Sequence, residues 1–328
     1  MAIHKADINK VLVINLAYIG DMIIGFPVLR ALRNEFSQAT IDMLVTPGVA
    51  VVAGANPFIQ EVIQYDKTGV HKNIFALWTL IKNLRSRQYD MVICTNLAVR
   101  GAILAWLLGS KYRVGYDLHG GRFFLTHAAS NRYRHLHEAR RRLEQLEVIG
   151  IHTDDIRLAY TLDADFAGAV ERFLAQWGLK EKTYTVICPA GRHARKSWSN
   201  ENMALLIDWL YACYGQRTIL IGGSKDEASI REIAERCASH PVQAAGVFNL
   251  RQLPHLITKA RCMISVDTGP MHMAAALDIP VVALFGPTKA ALWRPLSENS
   301  IVVQAPGKNM INLKLEDVQN ACQECLRW

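Results

Sequence analysis

The chain has 328 residues, 51% of them hydrophobic and 20% charged, with a formal net charge of +8. A single hydrophobic core rarely grows that large, so two domains of about 150 residues each are expected, and the composition excludes a largely disordered or fibrous chain. The positive excess draws anions to the surface; with no zinc-finger pattern, arginine-rich tail or aromatic RNA-binding strand pair, it does not indicate nucleic acid.

The seven cysteines, at 94, 188, 213, 237, 262, 322 and 325, are odd in number and scattered, which suggests a reducing compartment. Cys94, Cys188 and Cys262 fall in or beside apolar strand patterns and read as core residues. Cys322 and Cys325 form a lone CxxC with no second pair to complete a structural zinc site. The opening MAIHKADINK lacks the apolar stretch of a signal peptide, so export is not expected. The longest apolar runs, such as AILAWLLG at 102–109, are too short to span a bilayer.

In chain order, VLVINLA (11–17) predicts a buried strand, 22–35 a helix and TIDMLVT (40–46) a second strand. Pro47 and Gly48 mark a turn before a short helix ending near Gly54, and EVIQY (61–65) is a short strand. Residues 73–87 form an amphipathic helix with apolar and basic faces, followed by the strand YDMVICT (89–95). Residues 109–132 read as loop with short strands. A long helix is expected over 132–149, opening on an arginine run at 132–142 that is either a solvated face or an anion site. After a helix and linker near 160–182 the rhythm restarts: strand 183–191, helix 200–214, strand 216–223, helix 225–237, a short strand at 242–245, helix 250–259 and strand 262–266. Continuous apolar strands joined by helices predict parallel sheets covered on both faces. The expected division is 1–180, 181–312 and a C-terminal helix, 313–328, packing back towards the first domain.

The most informative segment is ISVDTGPMHMAAALDIPVVALFGPT, Ile264 to Thr288: buried strand, acidic turn, short helix, second buried strand and Gly-Pro turn. It places Asp267, Thr268 and Gly269, with the amides of the turn around Pro270, Met271 and His272, at the carboxyl ends of parallel strands, where open α/β sheets bind ligands and helix N-termini suit phosphate. His272 reads equally as interior packing. The loop CPAGRHARKSW carries Arg192, Arg195 and Lys196 after a strand and before a helix, which favours a diphosphate. Ser199 is the expected N-cap of that helix, and Trp198 is expected to pack. In IGGSKDEAS, Asp226 and Glu227 either offset the helix dipole or accept a ribose hydroxyl. Gly20 and Asp21 follow the first strand; the carboxylate is either an N-cap or a group placed over the cleft. There is no GxGxxG after that strand, no nucleophile elbow and no HExxH or clustered His/Asp pattern, which disfavours nicotinamide, serine-nucleophile and metal chemistry.

IGDMIIGFPVLRALR, CPAGRHARKSW and SVDTGPMHMAAALDIPVVALFGPT together resemble glycosyltransferase family 9, the lipopolysaccharide heptosyltransferases, over most of the length. The resemblance implies a glycosyltransferase B fold, two Rossmann-like domains facing across a cleft, the first holding the acceptor and the second the nucleotide-sugar. It implies inverting, metal-independent transfer of a heptose from ADP-L-glycero-D-manno-heptose to the lipopolysaccharide inner core, with no cofactor. The enzyme would be cytoplasmic and peripheral on the inner membrane. It further implies Asp21, beside Gly20, as catalytic base, Lys196 as a donor-phosphate contact and Asp267, Thr268 and Gly269 as donor-site lining. The ribose acid would be Asp226 or Glu227, with Glu227 favoured. Arg192, His193 and Arg195 stand where some members carry hydroxyl residues, and Pro270 and Met271 where the family uses a small residue or leucine. The acceptor is expected to be an anionic glycolipid core met by Arg85, Arg87, Arg100, Lys111, Arg113 and the run at 132–142. The alternatives are a transferase of another nucleotide-sugar and a nucleotide-sugar epimerase of the same architecture.

Overall fold

The computed structural model describes residues 3–327; Met1, Ala2 and Trp328, at the ends of the first and last predicted segments, lie outside the described residues. The chain divides into two compact units between Thr161 and Leu162.

In the first unit, β1 (Lys10–Asn15) leads through α1 (Ile19–Ile24) and α2 (Phe26–Glu35) to β2 (Thr40–Val45). After α3 (Ala50–Gly54) come β3 (Glu61–Gln64), α4 (Ile74–Ser86), β4 (Met91–Cys94), α5 (Val99–Leu108), β5 (Tyr112–Tyr116), β6 (His127–Ala129) and α6 (Glu138–Glu144). The sheet order is β3-β2-β1-β4-β5-β6 and the pairings are parallel. Side chains alternate along β1. Leu12 and Ile14 pack with Ile81 and Leu84 of α4 and Leu104 and Ala105 of α5. Val11 and Val13, equally buried, turn to the opposite face.

The second unit repeats the plan: α7 (Ala167–Gln176), β7 (Tyr184–Cys188), α8 (Asn200–Tyr214), β8 (Arg217–Gly222), α9 (Glu227–Arg236), β9 (Val242–Ala245), α10 (Leu253–Lys259), β10 (Cys262–Val266), α11 (Gly269–Ala276), β11 (Val281–Phe285), α12 (Ala290–Trp293), β12 (Ser300–Gln304) and α13 (Leu315–Cys325). Its order, β12-β11-β10-β7-β8-β9, is again parallel and again the doubly wound one. Each sheet therefore reverses its direction of growth once, between β1 and β4 and between β7 and β10. At such a point the loops leaving two neighbouring strands diverge and open a crevice.

Four expectations are corrected. The helix over 22–35 is two helices meeting at Gly25. The long helix over 132–149 shrinks to α6, because His137 caps it by accepting from the Ala139 amide at 3.2 Å, and a 3-10 turn then runs to Gly150 in the left-handed region at φ 72°. The unit boundary precedes α7 rather than following it, so the division near 180 does not hold. The C-terminal helix packs into the second unit's own core, where Val318, Ala321, Cys322 and Cys325 of α13 join Met203 and Leu206 of α8 and Ile264 of β10. Strand β12 was missed; it pairs with β11 at the edge of the sheet and is half-exposed.

Candidate active site

The first unit's crevice is built on the ends of β1 and β4. Past β1, the Leu16 amide donates to Asn96 Oδ1 beyond β4 at 2.5 Å, and the Ala17 amide donates to Asn15 Oδ1 at 3.2 Å. These bonds pin the loop that delivers Gly20 and Asp21 in the first turn of α1. Tyr18, not Asp21, is the N-cap residue, and no side chain caps the helix there. The capping alternative for Asp21 is thereby set aside. Its carboxylate instead meets Arg142 of α6: Nη2 donates to Asp21 Oδ1 at 2.8 Å and Nη1 to the Asp21 main-chain carbonyl. Gly25 makes room for this, since a Cβ there would lie 3.2 Å from Arg142 Nη1 and 3.3 Å from Asn15 Nδ2. Beside the pair, buried Glu138 accepts from Arg141, and burial lifts its carboxyl above the ordinary range.

The arginine run is therefore not one cationic face. Arg132 pairs with Glu147, Arg140 with Glu144 and Asp154, Arg141 with Glu138 and Arg142 with Asp21. Arg87 is likewise engaged by Glu61 at 2.6 Å, and Arg113 donates to the carbonyls of Ser110 and Phe124. Arg85, Arg100 and Lys111 are exposed.

In the second unit the loop after β7 meets the turn after β10. Lys196 Nζ lies 2.6 Å from Asp267 Oδ2, an ion pair across the point where the sheet order reverses. Asp267 is 8% exposed, and Lys196 supplies its ion pair. Gly191 permits the approach, because a Cβ on it would stand 3.0 Å from the Lys196 Cβ. Trp198 is buried and its Nε1 donates to the Leu313 carbonyl at 3.0 Å, and Ser199 caps α8 by accepting from the Asn202 amide at 3.2 Å. Both follow the sequence reading. Arg192 and Arg195 are exposed on the same loop.

Thr268 precedes α11, and Gly269 and Pro270 open it, all half-buried. Met271 and His272 are buried, so their side chains belong to the interior. What this turn offers a ligand is main-chain amides without intrahelical partners, less the one that Pro270 lacks. Asp226 closes its own turn by accepting from the Gly223 amide at 2.8 Å. Glu227 stands exposed at the start of α9, held by Arg231 at 2.9 Å. Burial pushes the thiols of Cys94 and Cys188, at the ends of β4 and β7, up to about 12, so neither is a thiolate nucleophile near neutrality. Among the described residues no group of three or more His, Cys, Asp or Glu is arranged to hold a metal ion.

The family model of glycosyltransferase family 9 (heptosyltransferase) matches residues 77–322, which contain the whole Lys196–Asp267 constellation. The chain belongs to glycosyltransferase family 9. A curated relative, lipopolysaccharide heptosyltransferase 3 of Escherichia coli strain K12, is 34% identical over 296 residues, 87% of this chain and 84% of the relative. The solved family 9 glycosyltransferase from Veillonella parvula DSM 2008 superposes with a TM-score of 0.91 at 24% identity, covering 98% of each chain. Escherichia coli heptosyltransferase WaaC, solved with ADP, gives 0.78 at 24% identity, covering 96% of this chain and 99% of that one. The protein is thus a glycosyltransferase with the glycosyltransferase B fold.

Two features of this family 9 enzyme's site escaped the sequence reading. Arg142 lay inside a run read either as a solvated face or as an anion site, and nothing in the run marks it as the partner of Asp21. Asn15 and Asn96, polar residues at the ends of apolar strands, carried a signal that was overlooked: a polar residue closing such a strand belongs where the loops part.

Proposed function

We propose that the protein transfers a heptose from ADP-L-glycero-D-manno-heptose to the inner core of lipopolysaccharide, with inversion and without a metal. The observation that carries this reading is the 34% identity, over 87% of the chain, to a protein named lipopolysaccharide heptosyltransferase 3. The chemistry of both crevices supports it. In the second unit, Lys196, Arg192, Arg195 and the amides opening α11 suit a diphosphate, and Glu227 suits the ribose. As the acceptor oxygen bonds to the anomeric carbon, the bond from that carbon to the diphosphate oxygen breaks and its electron pair leaves with ADP. Lys196 and the arginines stabilise the charge that develops there. Asp21 takes the acceptor hydroxyl's proton, which grows acidic only as the new bond forms. One carboxylate with direct attack gives inversion; retention through a glycosyl-enzyme would need a second.

A panel of nucleotide-sugars offered with a truncated lipopolysaccharide core tests this. The expected result is turnover with ADP-heptose at least about tenfold above any other donor, the scale of about 1.4 kcal/mol of discrimination. Equal or better turnover with a different nucleotide-sugar replaces the donor assignment. Conversion of donor without acceptor to an epimerised sugar replaces transfer altogether.

The reading places the enzyme peripherally on the cytoplasmic face of the inner membrane. Among the described residues no helix is long and apolar enough to cross a membrane. The outer face of α4 suits contact instead: Phe75 is 79% and Trp78 56% exposed, with Ile74 and Val70 beside them. From Lys67 to Ser86 the chain carries Lys67, Lys72, Lys82 and Arg85 and no carboxylate. Exposed aromatics among cations favour an anionic bilayer surface. Vesicles containing acidic phospholipid are expected to bind the protein in a salt-sensitive manner, and Phe75→Ser with Trp78→Ser to weaken that binding at least about tenfold. Unchanged vesicle binding by the double variant would move the contact elsewhere.

A further inference from the structure

We propose that Arg142 is a positioning residue for the catalytic carboxylate: its guanidinium grips Asp21 by main chain and side chain at once and leaves Oδ2 to meet the acceptor hydroxyl. The inference rests on the reading of Asp21 as base. Arg142 is buried, 3% exposed, while Asp21 keeps access to solvent. Nη2 donates to Oδ1 at 2.8 Å and Nη1 to the Asp21 carbonyl, so the planar fork defines both the position of α1's first turn and the direction of the carboxylate. A lysine's single charge on a flexible stem cannot do both.

The surroundings show an arrangement poorly suited to stability alone. Asn15 Nδ2, Arg141 Nε, Arg142 Nε and Gln145 Oε1 are buried without hydrogen-bond partners. Gln145 Nε2 donates to the Cys94 carbonyl at 2.7 Å, and the Tyr116 hydroxyl to the Arg141 carbonyl at 2.9 Å, so this polar cluster ties α6 to the ends of β4 and β5. A half-satisfied buried network is worse for folding than an apolar core, and replacing a buried ion pair as a whole by apolar residues of similar volume is often neutral or stabilising. Gly25 leaves the space that the guanidinium fills. What this costly arrangement provides is a carboxylate held still at the crevice, and a misplacement of about 1 Å at a reacting group costs on the order of 100-fold in rate.

The test compares Arg142→Met, Arg142→Lys and Asp21→Asn in the full-length protein, measuring kcat, acceptor KM, ADP affinity and thermal midpoint. The expected result is a kcat about 100-fold lower in Arg142→Met with ADP affinity kept, and about tenfold of that loss restored in Arg142→Lys. A merely structural arginine would lower the midpoint and leave the kcat of the folded fraction alone, and that outcome overturns the proposal. So does an Arg142→Met or Arg142→Lys enzyme within about threefold of wild-type kcat while Asp21→Asn is inactive, threefold being well short of the loss that misplacement brings. Should Arg142→Met fail to fold, Arg142→Lys decides alone: unimpaired kcat overturns the proposal and a reduced kcat at unchanged ADP affinity supports it. Full turnover by Asp21→Asn removes the base itself, a failure distinct from that of the arginine.

Discussion

Asp21→Asn is expected to lower turnover by about 10³-fold, within the range of general-base contributions, and to leave ADP affinity unchanged. The amide keeps the shape of the carboxylate and an oxygen for Arg142 Nη2 to donate to, now at 2.8 Å. It cannot accept the acceptor's proton. Asp21→Ala is expected to lose as much activity and, beyond what Asp21→Asn loses, about 1–3 kcal/mol of stability, because the buried Arg142 Nη2 then loses its acceptor as well as its counter-charge. Part of that charge stays solvated by the Asp21 carbonyl, which alanine retains, so the cost falls short of a fully orphaned ion. The two variants thus separate chemistry from folding: equal losses of turnover, unequal thermal midpoints. Nucleotide affinity should hold in both, since the cationic loop and the α11 turn belong to the other unit. Turnover by Asp21→Asn within tenfold of wild type would remove Asp21 as the base.

Lys196→Ala is expected to reduce kcat/KM by about 10²–10³-fold, the scale for removing one group that stabilises developing charge. Two causes act together. The leaving diphosphate loses a cation, and Asp267, 8% exposed and paired with Lys196 at 2.6 Å, becomes an unmatched negative charge beside it. The second cause makes a distinctive forecast. Adding Asp267→Asn to Lys196→Ala removes the repulsion and should recover about tenfold in ADP affinity, measured by titration calorimetry, without recovering turnover. Lys196→Arg should rescue poorly, because a planar fork does not reproduce a compact charge seated 2.6 Å from Asp267 Oδ2. ADP affinity and turnover both unchanged in Lys196→Ala would dissociate this loop from the donor.

Family membership and fold together narrow what such variants test. The fold alone is shared among enzymes that transfer sugars and enzymes that do not, so architecture cannot assign a reaction. Variants at the two reversal points test one, because the task proposed for each residue there predicts a distinct loss. Acceptor recognition is the part most revised by structure. Of the cations expected to meet an anionic core, Arg87, Arg113 and most of the run at 132–142 are engaged by neighbours within the unit. Lys111 pairs with Asp7 at 3.8 Å, and Arg85 and Arg100 are exposed.

Most strands and helices were legible along the chain because their signals are local. Apolar runs such as Val11–Ile14 and Val281–Phe285, Gly-Pro punctuation and the Ser199 cap each depend on a few consecutive residues. The same locality made Lys196 and Asp267 recognisable, each inside a motif that ends a strand and opens a turn. Their ion pair was not legible, for the partners stand 71 positions apart. Nor was the bond between Arg142 and Asp21, separated by 121 positions, where a surface arginine and a buried one look alike in a row of five. Sequence alone determined the alternation of strand and helix, since side-chain period and turn chemistry act over a few residues. Which strands became neighbours, where α13 found its core and which arginine met the carboxylate were decided by tertiary packing, because burial and charge pairing depend on what the fold brings alongside.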